Sequence, residues 1–251
     1  MTISSSDRSP IQVITRAAAI LRCLESEPNG LSLGAIAKRI ELPRSTVQRL
    51  VDALVVEQLL ELQGAGGVRL GPALMRLASH SHVDITQHAR PFLEQLAQTT
   101  GETAVLETAN GDNLLILHSV VSHQALRVSP VAGSMFNIYA TSGGKILLSK
   151  LDDEAVIKLV GHTLQPLTPK TPTLSELLAQ LKLVREEGFA YDFDEHTIGV
   201  GAVAVGLQTP QGSYSIDVVG PVWRLQEDLP GIKEALMNCQ SGLNKALRGL
   251  D

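Results

Sequence analysis

Aromatic side chains make up only 3% of this 251-residue chain, so it lacks the stacking platforms on which single-stranded nucleic acids are usually held. Cysteine is scarcer still. Cys23 and Cys239 lie far apart inside helical patterns, suit neither a disulfide framework nor a metal knuckle, and read as small apolar core residues. No apolar run reaches the roughly 18 residues of a membrane span, and residues 1–12 lack the charged-then-apolar layout of a signal peptide. A cytoplasmic protein with no membrane partner is the expectation. No phosphate-binding loop, dinucleotide glycine motif or nucleophile elbow occurs, so the chain is expected to have no catalytic residue, no metal and no cofactor. An overall positive charge is missing too: at −5 the chain does not suit a protein that coats nucleic acid by bulk electrostatics.

What is present is unevenly distributed. A hydrophobic content of 44% can fill one large core or two smaller ones. Residues 1–80 hold 9 Lys and Arg against 7 Asp and Glu, whereas residues 81–251 hold 12 against 19. Any nucleic-acid footprint therefore belongs to the first third, and duplex DNA suits it better than a single strand.

Along that first third, Val13, Ala17, Ile20, Leu21 and Leu24 form one helical stripe, stopped by Pro28-Asn29-Gly30. Ser32 is placed to cap a short second helix carrying Leu33, Ile36, Ala37 and Ile40. After Glu41-Leu42, Pro43 suits the first turn of a third helix, with Val47, Leu50, Val51 and Leu54 inward and Ser45, Gln48, Arg49 and Asp52 outward. Leu59–Leu62 and Val68–Leu70 read as short strands around a glycine-rich reversal at residues 64–67. Helix, tight turn, helix and ribbon in this order match a module that inserts its second helix into the major groove. Arg44, Ser45, Thr46, Gln48 and Arg49 are the residue types that reach base edges and phosphates, and Arg69 in the ribbon would meet the backbone or minor groove. An ordinary solvated helix face is the plainer alternative.

The rest reads as an α+β domain around an antiparallel sheet. A helix is expected from about Ile85 to Thr99, interrupted at Pro91, then a hairpin of residues 103–108 and 114–120 turned at Asn110-Gly111-Asp112. Helices follow over about 142–150, 153–160 and 174–187, strands over 189–193, 201–207 and 213–219, and a C-terminal helix from Leu229 to Leu247. The expected domains are residues 10–72 for DNA binding, 73–84 for a linker helix and 85–251 for effector binding and oligomerisation, with the boundary at Ser79-His80-Ser81-His82.

Several blocks resemble one family. Leu31-Ser-Leu-Gly-Ala-Ile-Ala, Leu42-Pro-Arg-Ser-Thr-Val-Gln-Arg-Leu and Arg69-Leu-Gly-Pro are similar to the winged helix of IclR-type transcriptional regulators. Ala140-Thr-Ser-Gly-Gly-Lys, Glu186-Glu-Gly-Phe-Ala-Tyr-Asp, Glu195-His-Thr-Ile-Gly-Val and Ser215-Ile-Asp-Val-Val-Gly-Pro resemble that family's effector domain. The resemblance implies a winged helix-turn-helix joined to a GAF- or profilin-like effector domain. It further implies a homodimer or homotetramer on a palindromic double-stranded operator, controlled by a small-molecule effector, with repression favoured over activation.

Carried over by resemblance, the effector pocket lies between the sheet and the helix opening at the Thr-Ser-Gly-Gly-Lys block. Ser142 and Gly143 would offer backbone N–H groups as a cradle for a carboxylate. Asp192 would face them, Val128 and Phe136 would form an apolar wall, and Ala202, Asp217 and Val219 would line the floor. The chain departs from the pattern at Ala202, where many relatives carry a small polar residue, and at Asp217 and Val219, where hydroxyl residues are common. That shifts the expected ligand from two- or three-carbon keto acids toward a hydroxylated or cationic metabolite, or a larger organic acid held at one end. Alternatively, Asp217 pairs with a nearby base and faces away. The cluster Asp192, Asp194, Glu195 and His196 reads as loop capping, with a metal site the lesser alternative. Two rival readings stay open: an enzyme that uses this cluster for metal-assisted hydrolysis, and an architectural DNA binder without a ligand.

Overall fold

A computed structural model describes residues 12–25, 27, 29–64, 67–78, 83–210 and 212–248. The expected chain reversals at Pro28, at Ala65-Gly66 and at Gln211, and the boundary segment 79–82, lie outside these residues in whole or in part. The chain divides into two compact units between Val83 and Asp84.

The first unit runs α1 (Gln12–Leu24), β1 (Leu31–Ser32), α2 (Leu33–Arg39), α3 (Arg44–Val56), β2 (Leu60–Gln63), β3 (Gly67–Leu70) and α4 (Pro72–Ala78). Ile20, Leu24, Ile36, Val47, Val51, Leu54, Leu60 and Val68 form its core. Burying each such side chain is worth roughly 1.5–3 kcal/mol, which fixes the inward face of α3 and so its outward one. Val13, placed on the α1 stripe by its spacing, is 60% exposed instead. The ribbon β2–β3 pairs Glu61 with Arg69 and Leu62 with Val68, and β1 adds a short third strand to β3 that the residue pattern did not reveal. Pro43 precedes the first helical residue rather than occupying it, and its carbonyl accepts from the Thr46 and Val47 amides. The α2–α3 turn is made by Glu41, a non-glycine residue with φ of 53°. Of the expected linker helix over 73–84, α4 ends at Ala78 and the next helix starts at Val83.

The second unit opens with α5 (Val83–Thr100), which passes through Pro91 unbroken, contrary to the interruption expected there. Pro91 faces solvent, so the carbonyl it strips of a partner one turn earlier can bond to water. There follow β4 (Thr103–Asn110), β5 (Asn113–Val120), β6 (Met135–Asn137), α6 (Ser142–Leu148), α7 (Asp153–Val160), α8 (Leu174–Glu187), β7 (Phe189–Phe193), β8 (Val200–Thr209), β9 (Gly212–Pro221), α9 (Val222–Glu227) and α10 (Leu229–Arg248). One six-stranded sheet has the order β6-β5-β4-β9-β8-β7, with every pairing antiparallel.

Strand alternation sorts this sheet into two unlike faces. Ala104, Leu106, Val203, Val205, Leu207, Tyr214, Ile216 and Val218 point one way and pack with α5, α9 and α10, including Cys239. The opposite positions are smaller or polar: Glu107, Asp192, Ala202, Ala204, Gly206, Ser215 and Asp217. Small residues there let α6 lie close on the sheet, and α7 and α8 stack behind it through Leu148, Val156, Leu177 and Leu181.

Candidate functional site

Two surfaces carry the candidate chemistry, one in each unit. On α3, Arg44, Ser45, Gln48 and Arg49 are exposed, and Thr46 is half-buried beside the core residue Val47. Gln48 Nε2 donates to Asp52 Oδ1 one turn on, at 2.7 Å, which holds its amide along the helix face. Among the described residues neither Arg44 nor Arg49 forms an ion pair, whereas Arg39 pairs with Glu27 at 2.6 Å. Arg69 is also engaged, with Glu61 directly opposite it on the ribbon. Its charge is therefore partly offset.

In the second unit a cavity of about 200 Å³ lies between α6 and the small-residue face of the sheet. Val128, Phe136, Ser142, Asp192, Ala202, Asp217 and Val219 border it, as do Glu107, Leu114, Ile116, His196 and Thr197, which the sequence reading did not assign to it. Period two in β4 was the available signal for Glu107, since it places that residue beside Val105 and Thr103, on the face away from Leu106. Phe136 meets the His196 ring edge to face at 5.2 Å, and the His196 Nδ1 lies 2.9 Å from Thr197 Oγ1. Burial pushes the His196 imidazole down, leaving it neutral near pH 7.

Gly143 is not among the bordering residues, and its expected role changes. A Cβ at Gly143 would fall inside the van der Waals shell of Glu107 Oε2, and one at Gly144 would strike the Ile138 carbonyl. These glycines serve close approach. The first turn of α6 is already occupied by one of the protein's own carboxylates: Ser142 Oγ donates to Asp217 Oδ2 at 2.5 Å, and the Gly143 amide also faces Asp217. The cradle expected for a ligand carboxylate is thus filled from β9, and Asp217 neither pairs with a base nor turns away from the cavity.

Three carboxyls are buried around this chamber: Glu107 at 4% exposure, Asp192 at 3% and Asp217 at 1%. Desolvation, reinforced by the neighbouring Asp217, pushes Glu107 well above the usual carboxylate range. Asp217 is pushed up to about 6 by burial, opposed by its hydrogen bonds to Ser142 and Glu107. Asp192 is pushed up to about 7, again by burial, although the Glu195 and His196 amides donate to its Oδ1.

The acidic loop cluster resolves into capping. Asp194, at φ of 66°, accepts from the Gly199 amide at 2.6 Å and pairs with Lys170 at 2.7 Å. Glu195 is drawn to Lys145, whose buried Nζ also donates to the Tyr191 carbonyl. Among the described residues no group of three or more His, Cys, Asp and Glu is arranged to hold a metal ion. No helix among them is long and apolar enough to cross a membrane.

Comparison with known proteins bears on both surfaces. Residues 13–64 match the IclR helix-turn-helix domain, and residues 77–244 match the family described as bacterial transcriptional regulator IclR, C-terminal. The HTH-type transcriptional regulator TtgV of Pseudomonas putida is 42% identical over 238 residues, covering 94% of this chain and 92% of that protein. The HTH-type transcriptional repressor AllR of Escherichia coli is 30% identical over 224 residues, covering 86% and 83% respectively. Among solved structures, an IclR homologue from Microbacterium hydrocarbonoxydans complexed with 4-hydroxybenzoate superposes with a TM-score of 0.82 at 24% identity, covering 94% of this chain and 99% of that one.

Proposed function

Because the chain belongs to the IclR family of bacterial transcriptional regulators, we propose that it is a repressor that binds a duplex operator through α3 and releases it in response to a small molecule in the second unit. The repressor assignment draws on the likeness to AllR. The observation that carries the DNA-binding surface is the pair of exposed, unpaired cations Arg44 and Arg49 on the helix whose opposite face is locked into the core. In the major groove such guanidinium groups make bidentate bonds to guanine, and the Gln48 amide suits adenine if it leaves Asp52. Arg69, tied to Glu61, contributes a backbone contact of lower specificity.

The ligand acts by population shift: it binds one arrangement of paired winged helices better than another, and only that difference in affinity alters operator occupancy. A homodimer or homotetramer on a palindromic site supplies the pairing. This reading is cytoplasmic, uses no catalytic residue and needs no cofactor. Affinity measurements over a salt series test it. Arg44→Ala is expected to weaken cognate binding by about 1–3 kcal/mol and to reduce discrimination against scrambled DNA. Arg69→Ala is expected to weaken all sequences alike. Undiminished operator binding by a protein lacking both Arg44 and Arg49 would remove α3 as the reading helix.

A further inference from the structure

We infer that the chamber beneath α6 takes a small apolar molecule whose polar end donates hydrogen bonds, a hydroxyl or an ammonium, and that it refuses carboxylates. The inference rests on the reading of this cavity as the effector site, and it concerns the chemical class of the ligand's head.

The walls set the body of the ligand. Leu114, Ile116, Val128, Phe136 and Val219 line the cavity, and about 200 Å³ is small for a ligand pocket. The floor sets the head. Asp217 is 1% exposed and borders the cavity, yet its Oδ1 receives no hydrogen bond of good geometry from any N–H or hydroxyl among the described residues. A proton held between Asp217 and Glu107 can satisfy that oxygen, and so can a donor brought by a ligand.

The charged groups facing the head from each packed element favour the same conclusion. Glu107 on β4, Asp217 on β9 and Asp192 on β7 border the cavity, with neutral His196 on the loop after β7, and Lys145 on α6 pairs with Glu195 outside its lining. Lys145 is the one cation among them, and its bonds go to Glu195 and the Tyr191 carbonyl, away from Asp217. An entering carboxylate would meet acids with no free cation and find the α6 amide end already taken by Asp217. An entering hydroxyl or ammonium meets a buried carboxylate oxygen for which the Glu107 proton is the competing donor.

Three probes on one body test this with the full-length protein: cyclohexanol, cyclohexylammonium and cyclohexanecarboxylate, titrated calorimetrically at pH 7.5 and pH 5.5. At pH 7.5 the alcohol and the ammonium are expected to bind at least about tenfold more tightly than the carboxylate. At pH 5.5 that gap is expected to narrow, because protonation removes charge from the floor. Asp217→Asn is expected to narrow it at pH 7.5 in the same way, with melting curves confirming that the variant folds, and the pH comparison makes the test without any substitution. Carboxylate binding as tight as that of the alcohol at pH 7.5 overturns the inference and leaves the cavity as the ligand site. Binding by no probe, or binding undiminished when Ala202→Trp fills the cavity, overturns the inference together with the cavity's assignment.

Discussion

Ser142 and Asp217 stand 75 residues apart in the chain and meet at 2.5 Å, the serine hydroxyl donating to a carboxylate oxygen fully enclosed by protein. This bond fastens the start of α6 to the middle of β9. Asp217 borders the chamber together with Glu107 of β4 and Asp192 of β7, the acids that make it sensitive to pH.

Stability is expected to fall as pH rises. Glu107, Asp192 and Asp217 all hold protons more tightly in the folded protein than in the unfolded chain, Asp192 to about 7 from 3.8 and Asp217 to about 6 from 3.8. Between about pH 4 and pH 7 the native state therefore binds more protons than the unfolded one, and unfolding becomes easier on the alkaline side. The Asp192 shift alone is on the order of 4 kcal/mol. His196 and Asp194, shifted downward, pull the other way. Thermal melts at pH 5.5 and pH 8 check the sign, and Asp192→Asn is expected to flatten the dependence.

Gly144→Ala is expected to cost about 3 kcal/mol or more, because the added methyl meets the Ile138 backbone carbonyl, which cannot step aside. Gly143→Ala collides with the Glu107, Ser215 and Asp217 side chains instead, which have some freedom to rotate. The first substitution should therefore be the more damaging in denaturant titrations.

Lys145→Met leaves Glu195 without its cation in a site where the lysine itself is 1% exposed. Breaking a buried pair by removing one partner is expected to cost about 3–5 kcal/mol. Adding Glu195→Gln should restore much of the loss, and a double-mutant cycle in urea measures how much.

Glu41→Gly is expected to stabilise the first unit modestly, by up to about 1 kcal/mol. The left-handed conformation at φ of 53° burdens a side chain more than it burdens glycine, and the gain is reduced by glycine's larger unfolded-state entropy. The melting midpoint of that unit reads the sign.

The winged helix was legible because its signals are local: Ser32 caps α2, Pro43 starts α3, and Val47, Val51 and Leu54 recur at helical spacing. Ala202, Asp217 and Val219 were named through the family resemblance alone, and the structure puts all three at the border of the cavity. Glu107 was missed because its partners lie about a hundred residues later, on β9, and strand order is not written in any one strand. At Gly143 a helix start looks alike in sequence whether a ligand or a distant aspartate fills it, and here Asp217 does. Pro91 was over-read, since a helix can run through a proline where the freed carbonyl is exposed to water.

The small side chains along the inner face of β8 have an evolutionary corollary. Of Ala202, Ala204 and Gly206, Ala202 is the one that borders the chamber, and it is already close to the least bulk a strand can present, so the chamber cannot grow at that point. Descendants of this protein that come to answer larger molecules must carve the extra room elsewhere, at Leu114 or Ile116 on β5, Phe136 on β6, Val219 on β9, or Val128. Changes in ligand size and changes in ligand charge would then be recorded at separate sets of positions.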